Sequence, residues 1–158
     1  MSFEIYSLDT PHGGKIAIGP MLGRFSPLGD DIAKISTWQA GLVVSAVEDF
    51  ELPQTQIQDQ LMMVGISWRH FPIKDFDVPA PAQNWPALST ACHTLLRGGG
   101  RIFFHCYGGQ GRSGTLALRL LIEMEEEPEK ALSRLRAVRP EAVETDAQYA
   151  WACEGAAV

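Results

Sequence analysis

Short apolar runs alternate along the chain with segments in which apolar residues recur every three or four positions. Four of the short runs predict β-strands, namely Lys15–Ile18, Leu42–Val47, Ile66–Ile73 and Arg101–His105. The run Leu42–Val47 is nearly continuous and rich in β-branched residues, which is typical of a strand buried on both faces. Such strands occur mainly in parallel sheets that are covered by helices on both sides.

Segments with helical spacing follow these strands. They are Asp30–Ala40, Pro53–Val64, Trp85–Leu96, Arg112–Met124, Glu129–Val138 and Thr145–Gly155. Asp30 and Asp31 are expected to cap the first helix, and the proline-containing stretch Asp75–Pro86 is predicted to be a loop. Strands alternating with helices predict an α/β fold. We expect a single three-layer domain over residues 1–158, with a mostly parallel central sheet flanked by helices.

Composition and charge narrow the class of protein. A chain of 158 residues with 46% apolar content suits one soluble domain with a sizeable core. The 13 basic and 19 acidic residues give a net charge of −6, which disfavours general binding to nucleic acid or to anionic membranes. Met1–Thr10 lacks the basic start of a secretory signal, and no run approaches the roughly 18 apolar residues of a membrane span. We expect a cytoplasmic protein.

The three cysteines, Cys92, Cys106 and Cys153, have neither metal-ligand spacing nor the even number of a disulfide framework. We therefore expect no bound metal and reduced thiols. Cys92 falls at an apolar position of its predicted helix and is interpreted as a core residue. A regulatory disulfide between Cys92 and Cys106 is the alternative.

A glycine-rich loop joins the predicted strand Arg101–His105 to the helix that begins near Arg112. Backbone N–H groups in such a strand-to-helix turn point inward and form a cup for a tetrahedral oxyanion. The predicted phosphate-binding positions are therefore the loop residues Tyr107, Gly108, Gly109, Gln110, Gly111 and Arg112. The helix dipole and the arginine add positive potential at this cup.

Four side chains around this loop suggest nucleophilic chemistry. Cys106 is expected to be a thiolate, because helix N-termini and neighbouring cations stabilise that form. Arg112 can hold two phosphate oxygens in a bidentate grip. Ser113 can donate a hydrogen bond to the thiolate, and His105 can donate to backbone carbonyls and stiffen the loop. This arrangement needs no metal and no cofactor.

The segment His-Cys-x5-Arg-Ser at residues 105–113 resembles the signature of the cysteine-dependent protein tyrosine and dual-specificity phosphatases. The residues of this segment are most similar to those of the cyclin-dependent-kinase-associated phosphatase branch. Other segments of the chain resemble this branch as well. Ile16–Pro20 is similar to its opening strand and turn, His70–Asp75 to its general-acid loop, and Ala142–Tyr149 to its last motif.

The resemblance implies a protein tyrosine phosphatase-like fold and hydrolysis of phosphomonoesters through a cysteinyl-phosphate intermediate. It implies phosphotyrosine as substrate, with activity on phosphoserine and phosphothreonine left open. Asp75 matches the general acid of the family, and Asp77, two residues further on, is the alternative. The loop positions between Cys106 and Arg112 contain no lysine or arginine, which favours a singly phosphorylated substrate.

One position departs from the family pattern. Many tyrosine phosphatases have a glutamine near the start of the last motif that positions the hydrolytic water, whereas this chain has Glu144 there and Gln148 four residues later. Glu144 would also suit the N-terminus of the helix predicted from Thr145, because acids favour that end. Both interpretations of Glu144 and Gln148 stay open.

The expected partner is a phosphorylated protein or peptide, with no nucleic acid, no membrane and a monomeric enzyme. Two alternatives belong to other classes. A phosphate-binding module without turnover would use the same loop, and so would a sulfur- or arsenate-handling cysteine enzyme. The candidate acid Asp75 favours the phosphatase over both.

Overall fold

The computed structural model describes residues 1–52 and 57–156. Five strands form its central sheet: β1 (Tyr6–Asp9), β2 (Lys15–Gly19), β3 (Leu42–Ser45), β4 (Ser67–His70) and β5 (Arg101–His105). Their order is β1-β2-β5-β3-β4, and only the edge pair β1 and β2 is antiparallel. The predicted mostly parallel sheet is confirmed. Strand β1 was not predicted.

Six helices lie within the described residues: α1 (Leu28–Thr37), α2 (Ile57–Met63), α3 (Trp85–Arg97), α4 (Gly111–Glu123), α5 (Pro128–Val138) and α6 (Asp146–Cys153). Each corresponds to a predicted helix, with ends that differ by up to three residues where both ends are described. The first four residues of the helix predicted over Pro53–Val64 lie outside the described part of the chain. Short 3-10 turns occur at Pro11–Gly13 and Asp49–Glu51.

The central strands bury both faces, as their apolar content predicts. Val44 and Phe104 pack in a cluster with residues of α3, α4, α5 and α6. Their neighbours Val43 and Phe103 pack in a second cluster with residues of α1 and α2. Successive residues of a strand therefore face opposite layers. The predicted three-layer α/β arrangement is confirmed.

The start of α1 differs from the prediction. The helix begins at Leu28, so Asp31 lies inside its first turn and not at its cap. Its buried carboxylate accepts hydrogen bonds from the backbone N–H of Gly23 at 2.7 Å and from Ser26 Oγ at 2.5 Å. Asp31 therefore fastens the preceding loop to the helix, where a carboxylate is also favoured by the helix dipole.

Glu123 joins α4 to α3. Its carboxylate accepts hydrogen bonds from Trp85 Nε1, Ser89 Oγ, His93 Nε2 and Arg119 Nε, at 2.5 to 2.9 Å. Burial alone would raise the pKa of this carboxyl, but the four donors lower it to about 2. The ionised group therefore stabilises the packing of these two helices.

The parallel register brings three strand ends to one edge of the sheet. Gly19 at the end of β2 and Ser45 at the end of β3 are both paired with His105 at the end of β5. The loop from β5 to α4 begins at this edge. Parallel α/β sheets bind ligands at the carboxyl ends of their strands.

Candidate active site

The loop between β5 and α4 curls around Cys106. The thiol is almost fully buried, and its Sγ lies 3.2 Å from the Gly109 nitrogen, whose N–H donates to it. Ser113 Oγ, at the first turn of α4, lies 3.2 Å from the same sulfur. Ser113, predicted to donate to this sulfur, therefore lies within hydrogen-bond distance of it. The Gly109 N–H, predicted to bind phosphate, is directed to the sulfur as well.

Gly109 is required by the shape of this loop. Its φ is +73°, in the left-handed region that side chains rarely adopt. A Cβ at this position would lie 2.3 Å from the carbonyl carbon of Gly19 and 2.6 Å from the nitrogen of Pro20. The loop therefore packs directly on the backbone at the end of β2, and only glycine fits.

Arg139, just after α5, braces the loop from behind and was not predicted. Its Nη2 donates to the carbonyl of Gly108 at 3.0 Å and its Nε to that of Gly109 at 3.3 Å. In a trans peptide the N–H points away from the C=O. The peptide that directs its carbonyl to Arg139 therefore directs the N–H of Gly109 to Cys106 Sγ.

His105 lies buried beneath the loop at the end of a hydrogen-bonded chain. Trp68 Nε1 donates to Ser45 Oγ at 2.8 Å, and Ser45 Oγ lies 2.5 Å from His105 Nε2. His105 Nδ1 lies 3.2 Å from the Cys106 carbonyl, which can only accept, so the proton is on Nδ1 and Ser45 donates to Nε2. Burial lowers the pKa of His105 to about 4, which keeps the ring neutral. His105 thus makes the predicted hydrogen bond to a backbone carbonyl of the loop, that of Cys106. Ser45 and Trp68 fix the tautomer of the His105 ring.

Arg112 is 1% exposed and is held by a residue that the sequence did not indicate. Glu51, in the turn Asp49–Glu51, accepts from Arg112 Nη1 at 2.7 Å and from Nη2 at 2.9 Å. Nη1 also donates to the carbonyl of Ile73 at 3.0 Å. Burial opposes ionisation of Glu51, but hydrogen bonds from Arg112 and from the Glu48 N–H hold the pKa of Glu51 below its usual value. Arg112 Nε is buried and has no partner among the described residues.

A cavity of about 270 Å³ opens above the loop. The loop residues that line it are Cys106, Tyr107, Gly108, Gln110, Gly111 and Arg112. Asp75 lines it as well, with Oδ1 3.4 Å from Arg112 Nη2 and a side chain that is 57% exposed. Asp77 instead lines a neighbouring cavity, and its Oδ1 accepts from the Val78 N–H. Of the two candidate acids, only Asp75 faces the cysteine cavity.

Glu144 and Gln148 occupy different places. Gln148 is buried, its Oε1 accepts from the N–H groups of Glu144 and Thr145, and its Nε2 donates to the Asp77 carbonyl at 3.1 Å. Thr145 caps α6, so the interpretation of Glu144 as its cap is wrong. Glu144 lines the cysteine cavity, and burial together with the charge of Asp75 raises the pKa of Glu144.

The other cysteines lie outside the cavity. Cys92 is fully buried in the cluster beneath α3, and burial raises the pKa of its thiol to about 12. Cys106 belongs to a different cluster, and both are free thiols, as is Cys153. The core interpretation of Cys92 fits this environment, and no disulfide joins it to Cys106.

Residues 1–52 and 57–156 contain no helix with the length and apolar character needed to cross a membrane. No group of three or more histidine, cysteine, aspartate or glutamate side chains in these residues could hold a metal ion.

The fold and the cysteine loop place the chain among the protein tyrosine and dual-specificity phosphatases, the family that the sequence predicted. Residues 21–126 match the family model described as "Tc-R-P: Polymorphic toxin system, DSP-PTPase phosphatase". The chain belongs to this family. The matched region contains β3, β4, β5 and the whole loop from Cys106 to Arg112.

Curated relatives include cyclin-dependent kinase inhibitor 3 from Rattus norvegicus and from Homo sapiens. Each is 34% identical over 94 residues, which are 58% of this chain and 44% of the relative. The chain thus matches less than half the length of these relatives. The similarity to this branch that the loop predicted is confirmed.

Solved structures extend the likeness over nearly the whole chain. The structure of Tk-PTP in its active form is 30% identical, with a TM-score of 0.73 over 88% of this chain and 90% of that one. Kinase associated phosphatase, with its catalytic-site cysteine replaced by serine, has a TM-score of 0.80 over 98% of this chain and 94% of that one. Its 23% identity supports the fold alone.

Proposed function

We propose that this protein hydrolyses phosphotyrosine in proteins or peptides through a cysteinyl-phosphate intermediate, with Asp75 as the general acid. One observation carries the proposal. Cys106, Arg112 and Asp75 line a single cavity although they come from separate parts of the chain. A nucleophile, an anion-binding cation and an acid within one cavity are the groups that transfer of a phosphoryl group requires.

In the first step Cys106 Sγ forms a bond to phosphorus while the bond from phosphorus to the ester oxygen breaks. The leaving oxygen takes that electron pair and a proton from Asp75. Arg112 and the loop N–H groups hold the three equatorial oxygens. Glu51 keeps the guanidinium in place without occupying its buried Nε.

In the second step water attacks phosphorus, the S–P bond breaks, and Asp75 takes the proton from water. Ser113 Oγ, 3.2 Å from Sγ, donates to the departing thiolate. The geometry supports Glu144 for placing the water, because its carboxyl lines the cavity. Gln148 is engaged with backbone groups through both its Oε1 and its Nε2.

The mouth of the cavity supports an aromatic, singly phosphorylated substrate. Phe76 is 60% exposed and Tyr107 is 47% exposed, and both rings line the cavity where the ring of phosphotyrosine would enter. The loop itself has no lysine and no second arginine. Activity on phosphoserine and phosphothreonine, a single domain, a monomer and a cytoplasmic location stay predictions.

The test is hydrolysis of para-nitrophenyl phosphate at about pH 6 with reductant and chelator, since thiolate and protonated acid must coexist. Cys106→Ser should abolish turnover, whereas Asp77→Ala, as the matched control for Asp75→Ala, should change it little. Turnover that survives Cys106→Ser would mean that the nucleophile is wrong. Vanadate binding by an inactive wild type would indicate a phosphate-binding module instead. Sulfur transfer from thiosulfate would indicate the sulfur-handling alternative.

A further inference from the structure

Charged side chains are distributed unequally around the mouth of the cavity. Asp75 and Glu144 both line it, and the charge of Asp75 contributes to raising the pKa of Glu144, whereas Arg112 is buried. Among the described residues that line the cavity, Arg24 is the only exposed cationic side chain. An anionic group that approaches the mouth therefore meets repulsion at the two carboxyls and attraction at Arg24.

Arg24 is held against the residue that follows the nucleophile. Its guanidinium carbon lies 3.9 Å from the ring centre of Tyr107 and 4.6 Å from that of Phe25. Its Nη1 donates to the Tyr107 carbonyl at 3.1 Å. This is the only hydrogen bond of its side chain among the described residues, so most of its N–H groups are available to a ligand.

The backbone that carries Arg24 is also fastened. The Met21 N–H donates to the same Tyr107 carbonyl at 3.1 Å. Beyond Arg24, the buried Asp31 binds the N–H of Gly23 and the hydroxyl of Ser26. The guanidinium is therefore positioned before any substrate arrives, which lowers the entropic cost of a contact with it.

We propose that Arg24 forms a subsite for an anionic group next to the phosphorylated residue of the substrate, so that the enzyme prefers acidic phosphopeptides. This inference rests on the proposed function. Arginine binds carboxylate and phosphate through paired N–H groups, so a glutamate, an aspartate or a second phosphate would all fit. Because Arg24 is fixed at one place, against Tyr107, the preference should hold on one side of the phosphotyrosine only.

The experiment compares phosphotyrosine peptides that carry glutamate, glutamine, lysine or phosphoserine at the residue before or after the phosphotyrosine. The readout is the ratio of kcat/KM values for two peptides with one enzyme, in which any general loss of activity cancels. The wild type should favour glutamate over lysine roughly fivefold on one side, the upper range for an exposed ion pair. In Arg24→Gln the ratio of kcat/KM for the glutamate peptide to that for the lysine peptide should fall to about one. In Arg24→Glu the lysine peptide should become the better substrate.

The matched control is Arg97→Gln, which makes the same charge change at the exposed end of α3, where the chain leads into the start of β5. Its ratio should equal that of the wild type. An unchanged ratio in Arg24→Glu, or an equal loss in Arg97→Gln, would overturn the subsite. Failure of the proposed function would look different, because para-nitrophenyl phosphate and every peptide would then resist hydrolysis. A phosphoserine peptide preferred over the glutamate peptide would identify phosphate as the better ligand of the same subsite.

Discussion

Replacing Glu51 by alanine would remove a carboxylate that accepts two hydrogen bonds from the Arg112 guanidinium. These two hydrogen bonds, of 2.7 and 2.9 Å, join the guanidinium of Arg112 to the carboxylate of Glu51. The side chain of Arg112 is 1% exposed and that of Glu51 is 13% exposed. Without the two hydrogen bonds Arg112 keeps the Ile73 carbonyl and the more distant Asp75, 3.4 Å away. We expect the guanidinium to move towards Asp75 and out of its phosphate-binding position.

Removing one partner of a buried ion pair costs about 3 to 5 kcal/mol. The partial exposure of Glu51 and the remaining contacts of Arg112 place this case at the lower end. If the loss falls on the transition state, about 3 kcal/mol lowers kcat/KM roughly 150-fold. The assay is hydrolysis of para-nitrophenyl phosphate, together with the inhibition constant of vanadate, which should rise in parallel because both report the phosphate-binding position.

The matched control is Glu48→Ala, which removes the carboxylate at the start of the same turn but keeps Glu51 and the backbone N–H of residue 48 that donates to it. It should lower activity far less. The pKa of Glu51 lies below its usual value, so Glu51 is ionised from about pH 5 to pH 8. The factor by which Glu51→Ala lowers kcat/KM should therefore be the same throughout this pH range. A folded Glu51→Ala protein with kcat/KM within about twofold of the wild type would refute the reasoning.

Three further substitutions test other parts of the structure. Glu123→Gln should lower the free energy of unfolding by about 3 kcal/mol at pH 7, since the pKa falls from 4.5 to about 2 on folding. That difference should vanish as pH falls from 4.5 to 2 in urea titrations, and a constant difference would contradict it. Gly109→Ala should lower kcat/KM at least about 100-fold by displacing the loop, and an unchanged value would show that the loop tolerates a side chain. Ser45→Ala should leave Trp68 Nε1 and His105 Nε2 without partners and cost about 1 to 3 kcal/mol, and an unchanged Tm would refute this.

The parts of the fold that were predicted are those with a strong local signal. The strand Arg101–His105 was predicted with the bounds that the structure has, because an apolar run ends there at a glycine-rich loop. Strand β1 was missed, because Tyr6–Asp9 is short, partly exposed and pairs only with β2 at the edge. The start of α1 was placed two residues late, because Asp31 looks like a cap in sequence but binds the preceding loop instead.

In the site, the residues of the loop could be picked out from the sequence because they are consecutive and follow the end of a strong apolar strand. Glu51 and Arg139 could not, because they reach the loop from 61 and about 30 residues away and carry no local motif. Ser45 looked like one more residue of a buried strand, and only the register that pairs it with His105 reveals its role. Contacts across a sheet depend on strand order, which local patterns do not encode.

The segment that carries Asp75 is tied down at three carbonyls. Gln83 Nε2 donates to Pro72 at 2.8 Å, Arg112 donates to Ile73 at 3.0 Å, and Gln148 Nε2 donates to Asp77 at 3.1 Å. When a general acid lies on a mobile loop, substrate binds productively only to the closed state. The apparent affinity then falls in proportion to the population of that state. Here Asp75, the proposed acid, already lines the cavity. We therefore expect no viscosity dependence of turnover from a loop-closing step, and an apparent affinity equal to the intrinsic affinity of the site.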